Sequence, residues 1–356
     1  MSPWRIGAGV MLAGLLAACQ AANTPAIVAR AKHNLETSGG QLRREMDQRK
    51  ESLGLMGASL TGCSLERRQA FELDAEQEAA LGQAVATRQL ATLGVEPLPT
   101  TDPVARYVDQ LGQYLALVAE AVGNTNGPDR AERPERVLAN RPWPQAGYRF
   151  VVLPLGEPRA SGGPGGTVMI STGFLRALES EEELAAVLSH EVAHVQRGHG
   201  VELIKAAMCH YEARQESSAK LRDFGQRIKL QRPASVPGEL LGGAAEESAA
   251  LYREGFPREF ELEADRISVR ILLAAGYDAR AFTGLLGRTS RETPAQHSWR
   301  RMHPPPRERL AAVEERLTAL GSSRMWPSAE AVAQRTKRFQ EVMAPLKASA
   351  GEQASR

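Results

Sequence analysis

The chain has 356 residues, enough for one large or two small domains with a proper core. Its 44 basic and 42 acidic side chains nearly cancel, to a formal +2, and 5% of residues are aromatic. That balance gives no reason to expect nucleic acid or an acidic partner, and the sparse aromatics give none to expect a stacking platform for bases.

The first residues carry an address. Arg5 precedes an apolar run from Ile6 to Ala18, which fits a signal-peptide core over 1–18 and is too short for an ordinary spanning helix. The run ends Leu16-Ala17-Ala18-Cys19, which resembles the bacterial lipobox, where the thiol of the cysteine is acylated. Cys19 is then the lipidated first residue of the mature chain. Gln20 in place of Asp favours the outer membrane of a Gram-negative bacterium, by analogy with enterobacterial sorting. The other two cysteines, Cys63 and Cys209, are compatible with one disulfide in an oxidising compartment, although no spacing rule links them.

Residues 19–69 are polar and mixed, with Gly39-Gly40 and a charged stretch from Arg43 to Glu51, and read as a lipid-anchored tether. The main domain is expected over 70–325. Asp74, an N-cap residue with Gln77 at the capping-box position, opens a helix that reaches Leu93 and stops at Gly94. Asp102-Pro103 gives a second helix its cap and its first-position proline, and Val104, Val108, Leu111, Leu115 and Val118 form one stripe on it. Over 123–147 the composition turns to Asn, Gly, Pro, Arg and Glu, which predicts a surface insertion.

Tyr148 to Leu155 reads as a strand around Phe150-Val151-Val152-Leu153. A Gly/Pro-rich loop from Gly156 to Gly166 follows, then a second strand from Thr167 to Ser171. Ser180 and Glu183 predict a capping box at the start of the next helix. Leu184, Val187 and Leu188 pack that helix down, and Gly198 and Gly200 mark its end. Residues 201–256 read as amphipathic helices with a loop around Pro233 to Pro237. Pro257 is expected at the first position of a helix running from Arg258 to Ala275 and closed by Gly276, and Asp278 caps the next. His303-Pro304-Pro305-Pro306 is an extended break before a helix from Arg307 to Leu320. Residues 326–356 read as a helical tail starting at Ala329.

The helix that begins at Ser180 carries His190-Glu191-Val192-Ala193-His194. Residues four apart share a helix face, so His190 and His194 can offer two imidazole nitrogens to one metal ion. Glu191, beside them, can take the proton of an attacking water, the arrangement metalloproteases use. Catalytic zinc wants a third protein ligand. His199 sits one position short of the place a metzincin-type third histidine would occupy, so it reads as a structural residue or as a partner behind a ligand. Glu261 and Asp265 are four apart on another helix. One could bind the ion while the other orients a ligating imidazole. Periodicity alone allows equally that this is a solvated acidic face, to which Glu259 and Glu263 would also belong.

Together these motifs resemble the HtpX/CAAX-prenyl-protease family of HExxH zinc metallopeptidases, in its periplasmic, lipoprotein-type branch, over roughly residues 70 to 320. Asp102-Pro103 with Tyr107-Val108 and Leu111-Gly112 is similar to the family's N-terminal helix. Pro164-Gly165-Gly166, Ile170 and Gly173 are similar to its edge strand and turn. Arg258-Glu259-Phe260-Glu261-Leu262-Glu263-Ala264-Asp265 resembles its second zinc motif, and Ala275-Gly276-Tyr277-Asp278 follows in order. His303-Pro304 with Pro306 and Arg309 resembles its HPxPxxR element. One departure stands out: relatives commonly carry Asn-Ala shortly before Pro-Gly-Gly, whereas this chain has Glu157 to Gly163 without it. That puts the specificity of the substrate loop in question.

The resemblance implies a mainly helical α+β, zincin-like domain with a small sheet whose edge strand borders the active-site cleft. It implies one Zn2+ per chain held by His190, His194 and Glu261, with Glu191 as general base and Asp265 hydrogen-bonded to a ligand. His303 is implied near the zinc, as a fourth ligand or an oxyanion partner, and Arg309 as an ion-pair anchor for its loop. Val168, Met169 and Ile170 are expected to hold an extended peptide by strand addition. The function expected is a membrane-anchored endopeptidase for misfolded or unassembled envelope proteins. The alternative is an envelope assembly factor with latent proteolysis.

Overall fold

The fold comes from a computed structural model, which describes residues 73–123, 143–205, 255–290, 303, 306–320 and 326–354. All of these belong to one compact unit. The signal peptide, Cys19, the tether up to residue 69, most of the 123–147 insertion, Cys63 and Cys209 lie outside the described residues. Among the described residues no helix is long and apolar enough to cross a membrane.

Two helices open the domain where their capping signals lie. Helix α1 spans Ala75–Leu93, its capping box closed reciprocally by Asp74 and Gln77, and left-handed Gly94 ends it. Helix α2 spans Pro103–Gly123, and Asp102 Oδ1 accepts from the N–H groups of Val104 and Ala105. Its buried stripe (Val104, Val108, Leu111, Leu115) enters the core.

Strands β1 (Arg149–Leu153), β2 (Ala160–Gly162) and β3 (Thr167–Ser171) form one sheet in the order β1-β3-β2. Phe150 pairs with Val168 in the parallel β1–β3 ladder, and Ser161 pairs with Met169 in the antiparallel β2–β3 ladder. This corrects the expectation for the second strand. β3 is central and fully buried, so Val168, Met169 and Ile170 have both backbone edges paired and cannot accept a peptide. The edge strands are β1 and β2, and β2, the edge that packs on the HExxH helix, lies inside what the sequence reads as a loop. Ala160-Ser161-Gly162 has neither β-branched nor aromatic residues, so pairing with β3 makes it a strand, not its own propensity.

The remaining helices are α3 (Thr172–Ala177), α4 (Glu181–Gln196), α5 (Arg258–Ala274), α6 (Arg280–Thr289), α7 (Pro306–Leu320) and α8 (Ala329–Ala354). A further helical segment covers 199–205. Pro257 is the N-cap of α5, one position before the expected one. Helix α8 packs on α4, α3 and α2, with Phe339 and Met343 buried in the same core as the sheet.

Candidate active site

Helix α4 carries the HExxH residues into the middle of the domain. Ser180 Oγ accepts from the Glu183 N–H at 3.3 Å, but Glu183 does not return the bond to Ser180. It reaches one residue further, accepts from the Glu179 N–H at 2.8 Å, and pairs with Arg288 at 2.7 Å. Every residue from Glu181 to Gln196 is buried, so α4 has no solvent face at all. Helices α2, α5, α6 and α8 and strand β2 surround it.

Four donor groups converge at the centre: His190, His194, Glu261 and His303, all buried, with ligand atoms within 4.8 Å of one another. His190 Nε2 lies 3.0 Å from His194 Nε2 and 3.5 Å from Glu261 Oε2, and His194 Nε2 lies 3.4 Å from Glu261 Oε1. His303 Nδ1 lies 2.9 Å from Glu261 Oε1 and 3.3 Å from His190 Nε2. Ligands bonded at about 2.0–2.1 Å around a tetrahedral ion sit about 3.3 Å apart. The set therefore has the dimensions of a single small cation's coordination shell.

Electrostatics say the same. The His190 Nδ1–H donates to Asp265 at 2.9 Å, which leaves its Nε2 lone pair pointing inward at His194 and a carboxylate. Acceptors packed this closely call for a positive charge between them. Burial and Arg309 push the His190 pKa down, but hydrogen bonds to Asp265 and Glu261 win and raise it to about 9. Burial holds His194 well below the ordinary imidazole range. Burial also pushes Glu261 up, yet the neighbouring His303, Arg309 and both histidines hold it well below the carboxylate range. Left to itself the site recruits a proton, where a cation would serve better.

Asp265 is buried and receives two bonds from Arg309, Nε at 2.8 Å and Nη2 at 2.7 Å. Arg309 Nη1 also lies 3.3 Å from Glu261 Oε2. Arg309, expected as an ion-pair anchor for the segment that carries His303, thus makes its ion pairs with two buried carboxylates of α5. Its side chain is buried, because two buried carboxylates on α5 need a cation beside them. Helix α5 thus supplies Glu261 and Asp265 on one face.

Glu191 is fixed from the side. Its Oε2 accepts from the Gly162 N–H of β2 at 2.8 Å, and its Oε1 lies 3.5 Å from His303 Nε2. A Cβ on Gly162 would lie 2.4 Å from the Glu191 carbonyl oxygen, so only glycine lets the strand run this close to α4.

Sequence reasoning brings together His190, Glu191, His194, Glu261, Asp265, His303 and Arg309, and all seven meet here. Val168, Met169 and Ile170 stand behind β2. Two participants were missed. Gly162 carries no side-chain signal, and its role comes only from the packing of β2 on α4. Glu263 reads as part of a solvated face, whereas it is buried and paired with Arg197 and His199.

Several known proteins are similar to this chain in sequence. The beta-barrel assembly-enhancing protease of Escherichia coli (strain K12) is 25% identical over 232 residues, covering 63% of this chain and 41% of that protein. Metalloprotease YcaL of the same organism is 25% identical over 276 residues, 75% of this chain and 96% of its own length. The mitochondrial metalloendopeptidase OMA1 of Arabidopsis thaliana is 29% identical over 136 residues, 38% of this chain and 24% of that protein. The chain thus spans less than half the length of the first of these. The model of peptidase family M48 matches residues 126–317, more than half of the chain, and takes in His190, Glu191, His194, Glu261, Asp265, His303 and Arg309. With that match and the buried donor set at its centre, the chain belongs to peptidase family M48.

Proposed function

We propose that the protein is a zinc-dependent endopeptidase of the HtpX/CAAX-prenyl-protease branch, with a zincin-like domain over about residues 70–325. The observation that carries this reading is the buried His190–His194–Glu261–His303 cluster beside Glu191, with edges of a tetrahedral shell. Nitrogen and carboxylate donors in that number suit zinc better than calcium or magnesium, which take oxygen ligands in larger shells.

His190, His194 and Glu261 would hold the ion. The chemistry supplied by bound zinc is Lewis acidity, which lowers the pKa of water towards ~7 and polarises the scissile carbonyl. Asp265 fixes His190 with its lone pair inward, and Arg309 holds Asp265 in place. Glu191 has Oε2 committed to the Gly162 N–H, so Oε1 takes the proton of the attacking water and passes it to the leaving amine. Strand β2 bonds to β3 through the Arg159 carbonyl and the Gly163 N–H. By alternation the peptide groups of Ala160 and Gly162 face the other way, towards α4. With the Gly162 N–H taken by Glu191, an extended peptide would pair through the Ala160 peptide group and run past Glu191. Recognition by backbone pairing tolerates many sequences and selects unfolded chains.

The substrates that fit are misfolded or unassembled envelope proteins, and the place is the periplasm, with Cys19 lipidated in the outer membrane. The lipobox-like start and relatives named for β-barrel assembly support this address. One observation favours a second reading, an assembly factor with latent proteolysis. His303 Nδ1 stands among the donors, where water would need access.

Metal analysis of the full chain, with cleavage of native and denatured casein by wild type and Glu191→Gln, tests the proposal. One zinc per chain in both proteins, cleavage by wild type alone and preference for denatured substrate are expected. Full cellular function of Glu191→Gln would favour the assembly factor, and a gain of activity in His303→Ala would identify latency.

A further inference from the structure

The two histidine ligands are not backed in the same way. His190 leans on Asp265, and Asp265 on Arg309. Behind His194 stands another imidazole: His199 Nδ1 lies 2.9 Å from His194 Nδ1. On its far side, His199 Nε2 lies 3.4 Å from Glu263 Oε2, and Glu263 Oε1 receives Arg197 Nε at 2.7 Å and Nη2 at 2.5 Å. Both rings are fully buried. His199 is stacked on Phe260, with centroids 4.3 Å apart and planes 6° apart, and His194 is stacked on Phe256 at 4.1 Å. Neither ring can turn without losing a face.

Two nitrogens at 2.9 Å share one proton, and which ring donates it decides whether His194 can bind a metal. If His199 donated from Nδ1, His194 would carry its own proton on Nε2, in the middle of the ligand cluster. The bare Nε2 of His199 would then face a carboxylate, acceptor against acceptor. With the proton of His199 on Nε2 instead, Glu263 accepts it, Nδ1 becomes the acceptor, and His194 donates Nδ1–H outward. Only this order leaves the His194 Nε2 lone pair inward. The carboxylate that chooses between the two orders is Glu263, itself held by Arg197.

We propose that His199 and Glu263 are positioning residues for the metal centre: the relay Arg197–Glu263–His199 locks His194 in its ligating tautomer. The two ligands would then have parallel supports, each ending in an arginine-paired carboxylate from α5, with one extra imidazole on the His194 side. That extra ring spans the gap that a carboxylate on α5 cannot cross alone, since Glu263 reaches His199 and not His194. The inference rests on the metallopeptidase reading.

The test is zinc binding by the full chain, measured by competition with a chromogenic chelator, together with the visible spectrum of the cobalt-substituted protein. His199→Phe keeps the stacking on Phe260 and removes the acceptor. His199→Asn restores an acceptor oxygen near the Nδ1 position. The zinc dissociation constant is expected to rise by about 10- to 100-fold in His199→Phe, with a changed cobalt spectrum. In His199→Asn it should return to within about threefold of wild type, with a wild-type spectrum. Wild-type affinity in His199→Phe overturns the proposal, and so does an Asn variant as weak as the Phe variant, since packing alone would then explain the loss. Should His199→Phe fail to fold, Glu263→Met takes its place: weaker zinc binding is expected, and unchanged binding refutes the relay. A wild-type chain that binds no zinc removes the metallopeptidase reading itself, and the relay with it.

Discussion

Arg338 near the middle of α8 donates two hydrogen bonds to Glu181 in the first turn of α4, from Nε at 2.8 Å and from Nη2 at 2.5 Å. Tyr107 of α2 and Tyr277, between α5 and α6, donate to the same carboxylate at 2.5 and 2.8 Å. Arg335 pairs with the adjacent Glu182 at 3.2 Å. The start of the helix that carries His190 is thus tied to a C-terminal helix outside the 126–317 family match. Acidic groups favour a helix N-terminus, but these are buried and need partners.

Arg338→Ala is therefore expected to destabilise the protein without emptying the donor cluster. The arginine side chain is 55% exposed, so solvent screens the pair, and both tyrosines still satisfy Glu181. A loss of about 1 kcal/mol follows, lowering Tm by about 2–4 °C. Calorimetry beside metal analysis checks both halves. Loss of bound metal in Arg338→Ala would mean that the clamp reaches the site.

The same cluster sets a pH response. Burial pushes Glu181 up, but Arg338, Tyr107 and Tyr277 outweigh it and depress its pKa. The unfolded chain then binds the proton first, so this contribution to stability is present above about pH 4.5 and is lost as pH falls below it. Burial, and then Glu181, raise the pKa of Tyr107, and the same two causes raise Tyr277, above the ordinary value of 10.0. Their contribution is present below pH 10.0 and is lost as pH rises beyond it. Glu182 is shifted upward, chiefly by burial, so the informative measurement is a difference. Urea melts across the pH range should show Glu181→Gln flattening the acid slope and softening the alkaline one.

Arg309 and Asp265 form a buried pair, 2% and 0% exposed, on which the orientation of His190 depends. Arg309→Met leaves Asp265 and Glu261 without their cation and should cost about 3–5 kcal/mol in the metal-free protein. In the double variant Arg309→Met/Asp265→Asn the loss should be clearly smaller than the sum of the single losses. Strict additivity in a double-mutant cycle would show that the two do not act as a pair.

Gly162→Ala adds a carbon 2.4 Å from the Glu191 carbonyl oxygen. Strand β2 must retreat from α4, at a cost of about 1–3 kcal/mol, and the Gly162 N–H leaves Glu191. We expect kcat on a denatured protein substrate to fall at least about tenfold while metal content stays at the wild-type level. An unchanged kcat would show that the Gly162–Glu191 bond plays no part in the chemistry.

Much of this architecture is local, and local signals were legible in the sequence. Asp74, Asp102 and Ser180 begin helices because their side chains reach backbone N–H groups two or three residues ahead, whatever lies elsewhere. His190, Glu191 and His194 stand together because a helix repeats every 3.6 residues, and Glu261 and Asp265 do so for the same reason. A sequence therefore determines which side chains share a face. It does not determine what that face meets. Tertiary packing decided that β3 is central and that β2 is an edge strand, because strand order depends on partners distant in sequence and three small residues announce no strand of their own. It also turned Arg309 inward, buried Glu263, and set His199 behind His194, since a buried charge takes the nearest opposite charge in space. The HExxH motif named two ligands and a base. Only the fold could bring Glu261, His303 and the Gly162 N–H to them, from segments far apart along the chain.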